Sequence, residues 1–343
     1  MDALSSDLHS LPKAHLHLHL AGSMRPSTLA ELALRAGVRL PPALAATGAT
    51  DEPMGWARFD SLYCTAKELL RTPADLVRLV RELAEDEVAD GSGWVEVTTD
   101  PTLYHGRFGP PEAVLELLLD AGRDASAATG VGIGWVLSAD RRHPDRAAAS
   151  ARLAVRYAEA GVVAFGLAND ERANPARAFV EAFAVARDGG LLSAPHAGEL
   201  CGADAVAEAV SVLGADRIGH GVRAVEDPVL LERLAAAGVH LEVCPASNLA
   251  LGVTSAAAAH PLPVLLAAGC SVSLGADDPL LFRARLADQY KLARGELGLD
   301  DAALAGLARA GIAASAAPPA CQAELLAGVD HWLTDTPASA RAA

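Results

Sequence analysis

Three histidines stand at alternate positions near the start of the chain, His15, His17 and His19, separated by leucines. Alternate side chains of an extended strand share a face, so this spacing predicts three imidazoles pointing the same way. Residues two apart on a strand lie roughly 7 Å apart at the backbone, a gap that two imidazoles can bridge to one metal ion at about 2 Å each. An H-x-H pair alone is a weak signal. It gains weight because later apolar runs also finish in titratable residues: Pro195-His196-Ala197-Gly198-Glu199, Gly219-His220-Gly221 and Gly275-Ala276-Asp277-Asp278-Pro279. Taken singly, a histidine can satisfy a buried carbonyl, and Asp-Asp-Pro can cap a helix. Adjacent carboxylates at a helix start, however, repel each other unless a cation or donors compensate, so Asp277 and Asp278 argue for a positive partner such as zinc. Three histidines and an aspartate suit a catalytic zinc that keeps room for water, whereas a structural site more often uses cysteine.

Residues so far apart in sequence meet only if the fold gathers strand ends. Eight apolar runs recur along the chain: Ala14 to Leu20, Trp94 to Thr98, Val131 to Leu137, Val162 to Leu167, Leu192 to His196, Arg217 to His220, Val239 to Val243 and Ser271 to Leu274. Segments with helical periodicity follow them, the pattern of β-α units around a parallel sheet, and eight is the number that closes a (β/α)8 TIM barrel. A barrel collects its chemistry at the C-terminal ends of its strands, where these titratable residues fall. Two helix starts are predicted, at Thr28 with Glu31 and at Thr72 with Pro73 and Asp75, the second helix ending near Asp90-Gly91. More than seventy residues separate the first run from the second, including the Pro/Gly-containing stretch Leu40 to Gly55. This predicts an elaborated connection able to act as a lid. With no dividing linker, residues 1–335 read as one barrel and 336–343 as a fraying tail.

The 343 residues are 51% hydrophobic and 4% aromatic, a composition that suits helices packed on a sheet. A net charge of −15 without a Lys/Arg cluster argues against nucleic acid as a partner. The opening MDALSSDLHS has neither the basic start nor the apolar stretch of a signal peptide, and no apolar run reaches membrane-spanning length, so the cytoplasm is expected. Five scattered cysteines, none spaced as C-x-x-C, read as reduced thiols.

The segments Leu11-Pro12-Lys13 with His17-Leu18-His19-Leu20, His196-Ala197-Gly198-Glu199, Ile218-Gly219-His220-Gly221, Cys244-Pro245-Ala246-Ser247-Asn248 and Ser273-Leu274 with Asp277-Asp278-Pro279 resemble, in order, the motif series of the adenosine deaminase family. The resemblance spans residues 11 to about 282. It implies one zinc per chain held by His17, His19, His196 and Asp277, His220 beside the attacking water, Glu199 at purine N1 and Asp278 at N7. Zinc lowers the pKa of a bound water toward about 7, which provides a nucleophile for the electron-poor C6 at neutral pH. Glu199 would have to be protonated to donate to N1, which requires a raised pKa in a dry pocket.

Three positions depart from that family pattern. Ala21 replaces an acidic residue that contacts the sugar 5′-hydroxyl. Asn169 replaces a glycine whose amide meets purine N3, and asparagine tolerates the left-handed conformation but brings a side chain into the pocket. His15 replaces a glutamate, and on the predicted face it would support the metal from beneath or simply pack. Gly22 and Gly198 allow close approach or positive φ. Ser247 reads as a helix cap or as part of the shell around the metal.

The expected activity is therefore hydrolytic deamination of a small 6-aminopurine, adenosine first, with a 5′-modified adenine nucleoside such as aminodeoxyfutalosine, or free adenine, as alternatives. Another amidohydrolase reaction competes, but Glu199, three residues after a zinc histidine, has a purpose in protonating a ring nitrogen. A non-catalytic binding protein competes through Ala21 and Asn169, although every expected ligand and the acid are present.

Overall fold

Residues 7–45, 53–104 and 106–335 are described by the computed structural model. The expected tail 336–343 and part of the first insertion lie outside these residues. Eight strands run in chain order: β1 Lys13–His19, β2 Ser92–Thr99, β3 Gly132–Asp140, β4 Val162–Ala168, β5 Leu192–Ala197, β6 Arg217–His220, β7 His240–Val243 and β8 Ser271–Leu274. They overlap the eight apolar runs and differ from them by at most three residues at an end. Each strand pairs in parallel with the next. The ring closes where Asp277, just past β8, accepts the His19 N–H at 2.9 Å and donates its own N–H to the His17 carbonyl at 3.0 Å. Strands covered by helices outside and side chains inside bury both faces, which is why they read as near-continuous apolar runs. β6 and β7 are buried at every position.

The register of β1 corrects one expectation. His15 pairs with Val95 and His19 with Thr98, so four residues of β1 span only three of β2. This bulge inserts one residue, and because side chains alternate strictly, it turns His15 to the opposite face from His19. His15 leaves the barrel interior for the helix Pro73–Ala89, where its Nδ1 meets Glu87 at 2.9 Å. Its Nε2 accepts the Ala276 N–H at 2.9 Å, so it braces the backbone beside Asp277 from outside the barrel rather than from beneath the site.

Among the described residues four α-helices, Pro26–Ala36, Pro42–Ala45, Gly55–Lys67 and Pro73–Ala89, lie in the connection between β1 and β2. The Thr72 start is as the sequence predicts: its hydroxyl accepts the Asp75 N–H while the Asp75 carboxylate accepts the Thr72 N–H. The Thr28 start is not. Pro26, with its φ already set, begins that helix two residues earlier, and the Thr28 hydroxyl is spent on Glu82 at 2.6 Å. Ser247 likewise caps nothing: the helix Pro245–Ala250 lacks a side-chain cap, and the Ser247 hydroxyl is buried without a partner among the described residues. Helix Gly55–Lys67 lies over the strand ends and is anchored by Phe59, stacked on Phe282 with centroids 5.3 Å apart. All five cysteines are free, and no described helix is long and apolar enough to cross a membrane.

Candidate active site

The barrel brings His17 and His19 of β1, His196 of β5 and Asp277 after β8 to one point. His19 Nε2 lies 3.1 Å from His196 Nε2 and 3.2 Å from Asp277 Oδ1, and His17 Nε2 lies 3.6 Å from the same oxygen. Four ligands about 2.1 Å from a tetrahedral ion stand on the order of 3.4 Å apart, so these atoms fit a single metal. Among the described residues the buried His17 Nε2 has no hydrogen-bond partner, which suits it to a cation. The other nitrogen of His17 is held by Glu242 at 3.0 Å, which keeps the Nε2 lone pair aimed inward. Glu242 in turn pairs with Arg217 Nε at 2.9 Å, and Arg217 reaches Glu96 at 2.5 Å, so a buried chain of alternating charge runs behind the donors.

Electrostatics mark the same spot. Burial opposes charge on His17, but Asp277 and Glu242 overcome it and raise its pKa to about 10. Burial and the neighbouring imidazoles hold His196 well below its ordinary value, and the same causes lower His220 to about 3. Burial alone would raise the Asp277 pKa, yet its bonds to His17 and His19 bring it well below the usual carboxylate range. The Asp277 and Glu242 carboxylates on either side of His17 make a locus of negative potential, complementary to a cation.

Glu199 and Asp278 flank these donors. Burial, with Asp277 and Glu171 nearby, pushes Glu199 well above the ordinary glutamate value. Burial and Asp277 do the same to Asp278. Glu199 Oε1 and Asp278 Oδ1 are buried without hydrogen-bond partners among the described residues, while His220 Nε2 stands 3.6 Å from Glu199 Oε1. His220 is oriented from behind by Asn248, 3.4 Å from its Nδ1, and Asn248 by His260.

Backbone strain concentrates here. Among the described residues four that are not glycine have positive φ, and three of them are Asn169 (80°), His220 (64°) and Asp277 (61°). Such conformations persist where the surroundings impose them, commonly at functional sites. Asn169 adopts the left-handed geometry anticipated for it. Its side chain turns sideways to Asp140 at 3.2 Å, yet the residue still lines the pocket. Gly22 and Gly198 serve differently: a Cβ at Gly22 would collide with Asp278 Oδ1, whereas Gly198 needs its φ of 72°. Gly22 and Ala21 are buried behind the pocket wall and do not line it.

The pocket is completed by groups the sequence analysis passed over. Trp56, Phe59 and Tyr63 of helix Gly55–Lys67 form an aromatic wall, and Asp100 and Asp140 stand at the ends of β2 and β3. Asp100 could have been found by the same signal as Asp277, a carboxylate closing an apolar run. Glu171 holds the turn bearing Glu199: its oxygens accept the N–H groups of Gly198, Glu199, Leu200 and Cys201 at 2.7, 3.1, 2.7 and 2.9 Å.

Known proteins show the same arrangement of chain. The family described as adenosine deaminase matches residues 12–332. A Streptomyces virginiae protein described as an adenosine/adenine deaminase is 56% identical over 334 residues, covering 96% of this chain and 98% of its own. The aminodeoxyfutalosine deaminase of Streptomyces avermitilis is 35% identical, covering 95% and 93%. Among solved structures, adenine deaminase from Arthrobacter aurescens superposes with a TM-score of 0.86 at 30% identity, covering 94% of this chain and 99% of that one. An amidohydrolase from Burkholderia ambifaria with bound zinc gives 0.83 at 26% identity, covering 96% and 94%. By its match over nearly its whole length, the chain belongs to the adenosine deaminase family of hydrolytic deaminases, which act on C–N bonds of cyclic amidines.

Proposed function

We propose that the chain is a zinc-dependent hydrolase that replaces the 6-amino group of a purine by oxygen and releases ammonia. The observation that carries this reading is the pair of buried, unpartnered carboxyl oxygens, Glu199 Oε1 and Asp278 Oδ1, flanking the donor cluster. Ring nitrogens N1 and N7 lie on either side of C6 and both accept hydrogen bonds, so two carboxylic acids placed beside a metal present a matching edge.

Zinc on His17, His19, His196 and Asp277 would supply Lewis acidity, making water a competent nucleophile near neutral pH. The chain does the rest. Glu199, as the acid, donates to N1 while C6 becomes tetrahedral, and the ring regains its conjugation as the amine leaves. His220 accepts and orients the proton of the attacking water, Asp278 holds N7, and the Asn169 backbone faces N3. The wall of helix Gly55–Lys67 excludes solvent from this step.

Adenosine, 5′-modified adenine nucleosides and adenine share this ring edge. Ala21 offers no carboxylate to a sugar hydroxyl, so recognition falls on the ring. The test is ammonia release and the ultraviolet change on deamination, with zinc-loaded and chelator-treated protein, across these compounds. Turnover that disappears with chelation and returns with zinc supports the assignment; a zinc-loaded protein inert to every 6-aminopurine sinks it.

A further inference from the structure

A barrel arranges its strand ends in a ring, and a purine has its own cyclic order of atoms. With N1 at Glu199 after β5 and N7 at Asp278 after β8, the free perimeter of the base runs N1, C2, N3, C4, N9, C8, N7. The strand ends run β5, β4, β3, β2, β1 and β8 in the same sense. N3 meets Asn169 after β4, so N9 falls at the ends of β3 and β2, where Asp140 and Asp100 line the pocket.

These two carboxylates are not equivalent. Both oxygens of Asp140 are occupied: Arg142 donates through Nε at 3.0 and 3.1 Å, Nη2 at 2.7 Å and its backbone N–H at 2.8 Å, and Asn169 adds Nδ2 at 3.2 Å. Asp100 has no ion-pair partner among the described residues, and its donors come from Thr102, whose N–H reaches Oδ1 at 2.9 Å. Burial and the nearby Asp140 raise its pKa, the mark of a carboxylate short of donors. Leu103 and the aromatic rings of helix Gly55–Lys67 line the pocket on one side of it, beside the polar side chains of Asp60, Thr98, Thr99 and Ser138.

Free adenine carries an N–H at N9; every N9-nucleoside carries carbon there. We infer that Asp100 is a specificity-determining residue that accepts the N9 proton of the free base, so adenine is preferred over its nucleosides. This rests on the purine orientation proposed above. Asp100 is part-buried, and a site that holds an acceptor shielded by a bound ring rejects an analogue lacking the donor more strongly than an apolar pocket rejects an extra group, because the acceptor is left unpaired.

The experiment compares kcat/KM for adenine, 9-methyladenine and adenosine in the wild-type protein, Asp100→Asn and Asp100→Ala, each with zinc content and melting temperature recorded. The expected result is a wild-type preference for adenine over 9-methyladenine of roughly 100-fold or more. Asp100→Ala then lowers kcat/KM for adenine and raises it for 9-methyladenine, whose penalty was the unpaired acceptor, so the preference collapses, and Asp100→Asn, which keeps an acceptor, falls between. Equal use of adenine and 9-methyladenine by the wild type, a preference for adenosine, or equal losses on both bases in Asp100→Ala overturns the inference. The wild-type comparison decides even if the alanine variant does not fold. Inertness to all three with turnover of a 5′-modified adenine nucleoside overturns the inference and leaves the deaminase reading standing, whereas inertness to every 6-aminopurine removes that reading itself.

Discussion

The carboxylate of Glu171 accepts the backbone N–H of Glu199 at 3.1 Å, and the same side chain takes the N–H groups of the residues before and after it. An anion in a nest of amides fixes the turn, and the turn fixes where the Glu199 carboxyl points. Bonds to a charged acceptor contribute about 1.5–3 kcal/mol each, so Glu171→Gln, which loses charge and presents an NH2 to N–H groups, should lower the melting temperature and reduce kcat by at least ~10-fold. Zinc content should not change, because no proposed ligand contacts Glu171. Unaltered kcat and melting would show that the turn is held by other contacts.

Glu199→Gln separates the acid from the metal site. Glutamine keeps the shape but offers no transferable proton, and general acid catalysis is worth roughly 10²–10⁴-fold. The variant should bind zinc stoichiometrically by elemental analysis while kcat drops by that factor. Full activity would take Glu199 out of its proposed role.

Much of this site is legible in the sequence because parallel barrel strands announce themselves as apolar runs and deliver their last residue to one rim. His196, His220 and Asp277 stand at such ends, so chemistry and position are read together. His15 misleads for a physical reason: a bulge is a property of hydrogen-bond register, and no glycine in His15-Leu16-His17-Leu18 signals it. Glu171 is silent because its function lies in contacts 27 to 30 residues downstream. Asp100 before Pro101 resembles an ordinary helix start until the strand ends are seen to form a ring. Glu242, a charge inside the buried run Val239 to Val243, was the readable anomaly: a carboxylate there needs partners, and Arg217 and His17 supply them.

That pairing makes Glu242 testable through the metal. The carboxylate orients His17 and raises the basicity of its inward nitrogen, and loss of such support typically weakens metal binding by 10–100-fold. Glu242→Gln should therefore lose zinc at lower chelator concentration than the wild type and regain activity when zinc is added in excess. Chelator titrations that coincide for the two proteins would assign Glu242 to the Arg217 ion pair alone.

The helix that supports the aromatic wall's connection gives a prediction about acid stability. Asp75, almost fully buried, accepts the N–H groups of Arg71 and Thr72 at 2.9 and 2.8 Å and the Arg35 guanidinium at 2.5 Å. Burial alone would raise its pKa, but Arg35 and these amides outweigh burial and lower it. An unfolded aspartate titrates near about 3.9, so between that value and the lower folded one the unfolded chain binds more protons, and stability rises with pH. The contribution is present above about pH 4 and is lost as pH falls through the folded value. Asp75→Asn removes both the capping box and the ion pair, which should cost about 1–2 kcal/mol at pH 7 by urea denaturation. The difference from the wild type should shrink as the pH is taken from about 4 toward the lower folded value, because the unfolded wild-type chain takes up the proton first. A gap that stays constant from pH 7 down to pH 3 would show that Asp75 acts through shape and not through its charge.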